Sequence, residues 1–119
     1  MLFICYPNCS TCKKAQKWLN DHDLTYQFRD IKIDRPNNSE LKEWYQKSQL
    51  PIKKFWNTSG QTYRDLKIKD KLPLMTEETQ LRLLATNGML VKRPIIVLDD
   101  KVLVGFNQQV WEEILIDGY

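Results

Sequence analysis

A chain of 119 residues accommodates one domain with a real hydrophobic core and leaves little room for a second. Its 42% hydrophobic and 28% charged residues are those of an ordinary globular protein. A net charge of +3 with both signs interspersed is too mild to mark a nucleic-acid-binding stripe. No apolar run approaches the ~18 residues of a membrane span. The apolar start from Met1 to Tyr6 lacks a basic flank and ends at Pro7, so no signal peptide is read there and a cytoplasmic protein is expected. Three cysteines, an odd number, argue against a secreted disulfide framework.

In chain order, Leu2-Phe3-Ile4-Cys5-Tyr6 reads as a short buried strand stopped by Pro7-Asn8. Ser10 to Asp21 carries helical spacing, with Ala15, Trp18 and Leu19 on one face. Thr25 to Ile33 predicts a second strand with Tyr26, Phe28 and Ile31 alternating, and the βαβ order favours a parallel pair. Arg35-Pro36-Asn37-Asn38 is a turn, after which Ser39 is placed to cap a helix through Leu41, Trp44 and Tyr45. From Pro51 to Asn87 the chain reads as short helices, the clearest being Glu77 to Thr86 capped by Thr76, with Asn87-Gly88 as a left-handed stop. Pro94 to Leu98 and Lys101 to Val104 predict a hairpin turning at Asp99-Asp100, and a last helix is expected from Gln108 to Ile116. The whole is one α/β domain, residues 1–119, of the order βαβ, helical insertion at about 39–87, ββα.

Cys9 and Cys12 stand at the mouth of the first predicted helix. Residues three apart share a helix face, about 5–6 Å from each other, which is within disulfide range. The first of them meets unpaired backbone N–H groups and the positive end of the helix dipole, which favour thiolate over thiol. Lys13 and Lys14 add positive charge in sequence. Cys9 is therefore the expected nucleophile and Cys12 the resolving thiol. A C-x-x-C between strand and helix of a βαβ unit is a redox motif of thioredoxin type. A zinc site lacks a second C-x-x-C, and neither Cys5 nor His22 is placed to complete one. Cys5 reads as a small hydrophobe of the strand, and His22 as a helix-end residue.

Arg93-Pro94 opens the third predicted strand, and composition alone would make its peptide bond trans. Three segments together carry a family resemblance: Tyr6-Pro7-Asn8-Cys9-Ser10-Thr11-Cys12-Lys13-Lys14-Ala15, then Met89-Leu90-Val91-Lys92-Arg93-Pro94-Ile95-Ile96-Val97, then Val104-Gly105-Phe106. In order and spacing they resemble the arsenate reductase (ArsC)/Spx family, and most of all its small YusI-like members. The resemblance implies a thioredoxin-like fold with a four-stranded mixed sheet and a helical insertion after the second strand. It further implies a cis Pro94 packed on the cysteine motif and an Arg93 guanidinium aimed at the Cys9 thiolate or a bound oxyanion. A fixed guanidinium suits both tasks.

Departures from the arsenate-reducing members bear on function. Those enzymes use one cysteine and three arginines. The cysteine falls on Cys9 and one arginine on Arg93, but approximate matching puts the other two on Lys53 and Gly105. Lys53 keeps the charge without the planar fork, and Gly105 keeps nothing. The expected activity is thiol–disulfide chemistry with no bound cofactor or metal, restored by an external thiol such as a glutathione/glutaredoxin or thioredoxin system. The resemblance also implies an alternative, an Spx-like redox-sensing regulator that binds the C-terminal domain of the RNA polymerase α subunit.

Overall fold

The computed structural model describes residues 1–118. Four strands, β1 (Leu2–Cys5), β2 (Gln27–Asp30), β3 (Ile95–Val97) and β4 (Val102–Val104), form one mixed sheet in the order β2-β1-β3-β4. β1 and β2 are parallel, while β3 runs antiparallel to both β1 and β4. The helix α1 (Ser10–Asp21) makes the crossover between β1 and β2, and its bounds are those expected from the sequence. Between β2 and β3 lie α2 (Asn38–Ser48), α3 (Gln61–Asp65), α4 (Ile68–Lys71) and α5 (Glu77–Leu84), joined by 3-10 turns. After β4 the chain forms α6 (Gln108–Trp111), which widens into a π turn over Glu112–Ile116.

Strand alternation splits the core into two layers. Phe3, Cys5, Ile96 and Leu103 face α1 and the C-terminal helix, packing on Ala15, Trp18, Leu19, Trp111 and Leu115. Ile4, Ile95 and Val102 face the insertion, packing with Leu41, Trp44, Phe55, Trp56, Leu81 and Leu84. The one indole N–H of Trp56 is satisfied inside this layer, donating to Gln80 Oε1 at 3.0 Å. No helix among the described residues is long and apolar enough to cross a membrane.

Three local expectations are corrected. β2 is shorter than Thr25 to Ile33 because Asp30 Oδ1 accepts the N–H groups of Lys32 and Ile33 at 2.8 and 3.1 Å, folding the chain out of the strand. Ile31 is then buried, while Ile33 stands in solvent. Helix α2 is capped by Asn37, not Ser39: Asn37 Oδ1 accepts the Glu40 N–H at 2.8 Å and Glu40 Oε1 accepts the Asn37 N–H at 3.1 Å. Gly88 is not a left-handed stop, since the only glycine with positive φ among the described residues is Gly105. It is needed for close approach: a Cβ there would lie 1.9 Å from the Ile31 carbonyl oxygen.

Candidate active site

The site forms where β1 ends, α1 begins and β3 is entered. After Cys5 the chain turns through Tyr6-Pro7-Asn8, and the Cys9 N–H donates to the Tyr6 carbonyl at 3.0 Å. Cys9 is the N-cap of α1, with extended backbone (φ −88°, ψ 127°), and its carbonyl accepts the first helical bond from Lys13 at 3.0 Å. Its side chain is half-buried and its thiol is free. The N–H groups of Thr11 and Cys12, unpaired within the helix, turn toward the sulfur.

Arg93 closes the site from the other side. The Arg93-Pro94 bond is cis, as the family resemblance implied and composition alone did not. The Pro94 carbonyl accepts the Gly105 N–H at 2.8 Å, fixing the segment to the end of β4. The Arg93 guanidinium lies 5.5 Å from the centroid of the Tyr6 ring, and Nη1 donates weakly to the Met89 carbonyl at 3.5 Å. Its Nε is buried and has no hydrogen-bond partner among the described residues.

These groups set the state of Cys9. Partial burial pushes its thiol up, but it is outweighed by the Cys12 N–H, the Arg93 hydrogen bond, the Thr11 N–H and the Arg93 charge. The net result is a thiol held below the usual cysteine range. Lys13 and Lys14, expected from sequence to contribute, are exposed and not among the groups that shift it. Lys53 is likewise exposed, on the 3-10 turn Ile52–Phe55. At Gly105, which adopts φ +82°, the space a side chain would enter is bordered by Lys92 Cε at 3.7 Å.

Sulfur pairing departs from the expected Cys9–Cys12 couple. Cys12 is bonded to Cys5, with Cα atoms 5.8 Å apart. The reason lies in two periodicities. Cys12 belongs to the inward face of α1 with Ala15, Trp18 and Leu19, and Cys5 shares the α1-facing side of β1 with Phe3. Both sulfurs point into the same layer, whereas Cys9 at the cap faces the mouth. Cys5 is therefore not merely a small hydrophobe, and the signal that marked it was its two-residue spacing from Phe3. The Tyr6 N–H donates to Cys12 Sγ at 3.3 Å.

A mixed β2-β1-β3-β4 sheet with a cysteine at the mouth of its first helix and a cis-proline opposite defines a thioredoxin-like domain, here with a helical insertion. The chain belongs to the ArsC family, whose model matches residues 5–114. It is 48% identical to YusI of Bacillus subtilis over 95% of this chain and 96% of that protein. It is 31% identical to the global transcriptional regulator Spx of Listeria innocua over 86% of this chain and 76% of that one. The crystal structure of an ArsC family related protein from Bacteroides fragilis superposes with a TM-score of 0.92 at 55% identity, covering 95% of each chain.

Proposed function

We propose that this protein is a cytoplasmic thiol–disulfide oxidoreductase in which Cys9 is the nucleophile, Cys12 the resolving thiol of the reduced protein, and Arg93 the stabiliser of negative charge. The observation that carries the reading is the convergence on Cys9 Sγ of the α1 N–H groups and the Arg93 guanidinium. In the reduced protein the Cys9 thiolate attacks an oxidised substrate and leaves a covalent adduct on its sulfur. Cys12, one turn into α1, displaces the adduct and forms a disulfide, releasing the reduced product. An external thiol, from a small dithiol, glutathione/glutaredoxin or thioredoxin, returns the protein to its starting state. The unpartnered Arg93 Nε and the helix mouth also suit an oxyanion, so arsenate-like substrates belong to the proposal. By the approximate matching that the family resemblance implies, exposed Lys53 and half-buried Gly105 fall at the positions of two arginines of the arsenate-reducing members, which favours disulfide substrates over arsenate.

The test uses the Cys5–Cys12-bonded protein, where Cys9 is the free thiol. Alkylation of Cys9 by iodoacetamide should rise with a midpoint below that of an unstructured cysteine peptide. An identical midpoint for the two refutes the reading.

A second reading rests on the likeness to Spx: a redox-responsive regulator that binds the C-terminal domain of the RNA polymerase α subunit. It requires a complex with that domain whose affinity differs between dithiol and disulfide forms. Absence of binding in both forms removes it.

A further inference from the structure

The Cys5–Cys12 disulfide is shut inside the core. Cys5 is fully buried and Cys12 is 3% exposed, so an external thiolate has no line of attack on either sulfur while the domain stays folded. Cys9 is the one cysteine that reaches solvent, and the Cys12 N–H is directed at its sulfur. By burial the three cysteines rank from surface to core as Cys9, Cys12, Cys5, with Cys12 common to the motif and to the buried bond.

We propose that the three cysteines form an internal relay in which Cys9 is the obligatory gate for making and reducing the buried Cys5–Cys12 bond. The proposal rests on the reading of Cys9 as nucleophile and extends it to a third sulfur. In the oxidative direction, a substrate disulfide takes one electron pair from the protein. Cys9 thiolate attacks one substrate sulfur, forming a mixed disulfide and expelling the other half as a thiolate. Cys12 loses its proton and attacks Cys9 Sγ, forming Cys9–Cys12 and expelling the second half. Cys5 then loses its proton and attacks Cys12 Sγ, forming Cys5–Cys12 and restoring the Cys9 thiolate. The sum is one substrate disulfide reduced to two thiols and two protein thiols oxidised to one disulfide.

The last exchange conserves electrons and is driven by where the negative charge ends. With Cys5–Cys12 closed, the free sulfur is Cys9, at a helix mouth beside Arg93. With Cys9–Cys12 closed, it is Cys5, fully buried in the apolar layer that includes Phe3, Ala15 and Ile96, where a thiolate has no solvation. The relay therefore empties onto the buried pair and leaves Cys9 free. Reduction runs in reverse: Cys9 attacks Cys12 Sγ, which carries the disulfide to the surface, and an external dithiol then takes it from Cys9. The Tyr6 N–H on Cys12 Sγ stabilises that sulfur whenever it is the leaving or attacking thiolate.

The experiment follows reduction of the Cys5–Cys12 bond by dithiothreitol in the folded, oxidised protein and in Cys9→Ser. Serine is a favoured helix N-cap, so this variant keeps α1. Removing the gate should slow reduction by about tenfold or more under native conditions, because only rare opening of the core then exposes the bond. The two proteins should react at one rate in guanidinium chloride. Equal native rates overturn the relay. Cys5→Ala provides the second arm: on oxidation it should accumulate a Cys9–Cys12 disulfide in peptide maps, and a free Cys9 thiol there overturns the relay too. An acid-shifted Cys9 alkylation profile together with equal native reduction rates would discard the relay and leave the nucleophile standing. An ordinary profile discards both.

Discussion

Removing the Arg93 guanidinium while keeping its stem, in Arg93→Met, tests the electrostatics of Cys9 with a signature that a structural defect does not imitate. The guanidinium lowers the Cys9 thiol through both a hydrogen bond and its charge. A hydrogen bond to a charged group contributes about 1.5–3 kcal/mol, and solvent at the half-buried sulfur brings this to about its lower end. Since about 1.4 kcal/mol corresponds to a factor of ten, the thiolate population at a pH on the rising part of the profile falls about tenfold. The remaining thiolate is more basic, and with a Brønsted coefficient of about 0.4–0.5 it reacts about threefold faster per molecule. The two effects oppose each other. In the acid range Arg93→Met should be alkylated about threefold more slowly than wild type, and in alkali, where both sulfurs are ionised, about threefold faster. The curves of iodoacetamide rate against pH therefore cross. The Thr11 and Cys12 N–H groups remain, so the variant's midpoint stays below that of a free peptide. Parallel curves, displaced by one factor at every pH, would mean altered access rather than lost charge, and the reasoning would fall.

Two further outcomes test the scaffold. Gly88→Ala drives a Cβ to 1.9 Å from the Ile31 carbonyl oxygen and 2.8 Å from its carbon, backbone atoms that cannot swing aside. We expect a loss of about 2–3 kcal/mol in urea unfolding, and a wild-type midpoint would contradict the contact. Glu40→Gln weakens the fork in which Arg29 Nη1 and Nη2 donate to Glu40 at 2.6 and 2.9 Å. The Arg29 hydrogen bonds hold the Glu40 carboxyl below its ordinary range against the opposing effect of burial. Its contribution is therefore full above the unfolded carboxylate pKa and lost as pH falls through the lowered folded one. The variant should be less stable than wild type by about 1 kcal/mol at neutral pH, with the difference vanishing in strong acid. A difference unchanged by acid argues against the ion pair.

Much of this molecule is written in short-range pattern. Twelve residues of helical spacing with an apolar face predict α1 to its bounds, and the β-branched run before Asp99-Asp100 predicts the β3–β4 hairpin. The three family segments carry the thioredoxin-like fold, the mouth position of Cys9 and the approach of Arg93. Where the linear pattern pointed to the wrong residue or role, as with the Ser39 cap and the Gly88 stop, the deciding contact was one it does not contain. Asn37 and Ser39 are both good caps, and the reciprocal bonds with Glu40 decide for Asn37. Gly88 serves a backbone contact with a residue far away in sequence, invisible to any local rule.

The sulfurs show the same division most clearly. Spacing alone joined Cys9 to Cys12, because three residues on a helix bring two side chains within reach. Which pair bonds depends on the direction each Cα–Cβ vector takes once α1 is laid on the sheet. That packing turns Cys12 inward to meet Cys5 and leaves Cys9 at the mouth. Local sequence determined that a cysteine would open a helix. Only the contact between helix and strand, set by burial of the face shared by Phe3, Ala15 and Leu19, decided its partners.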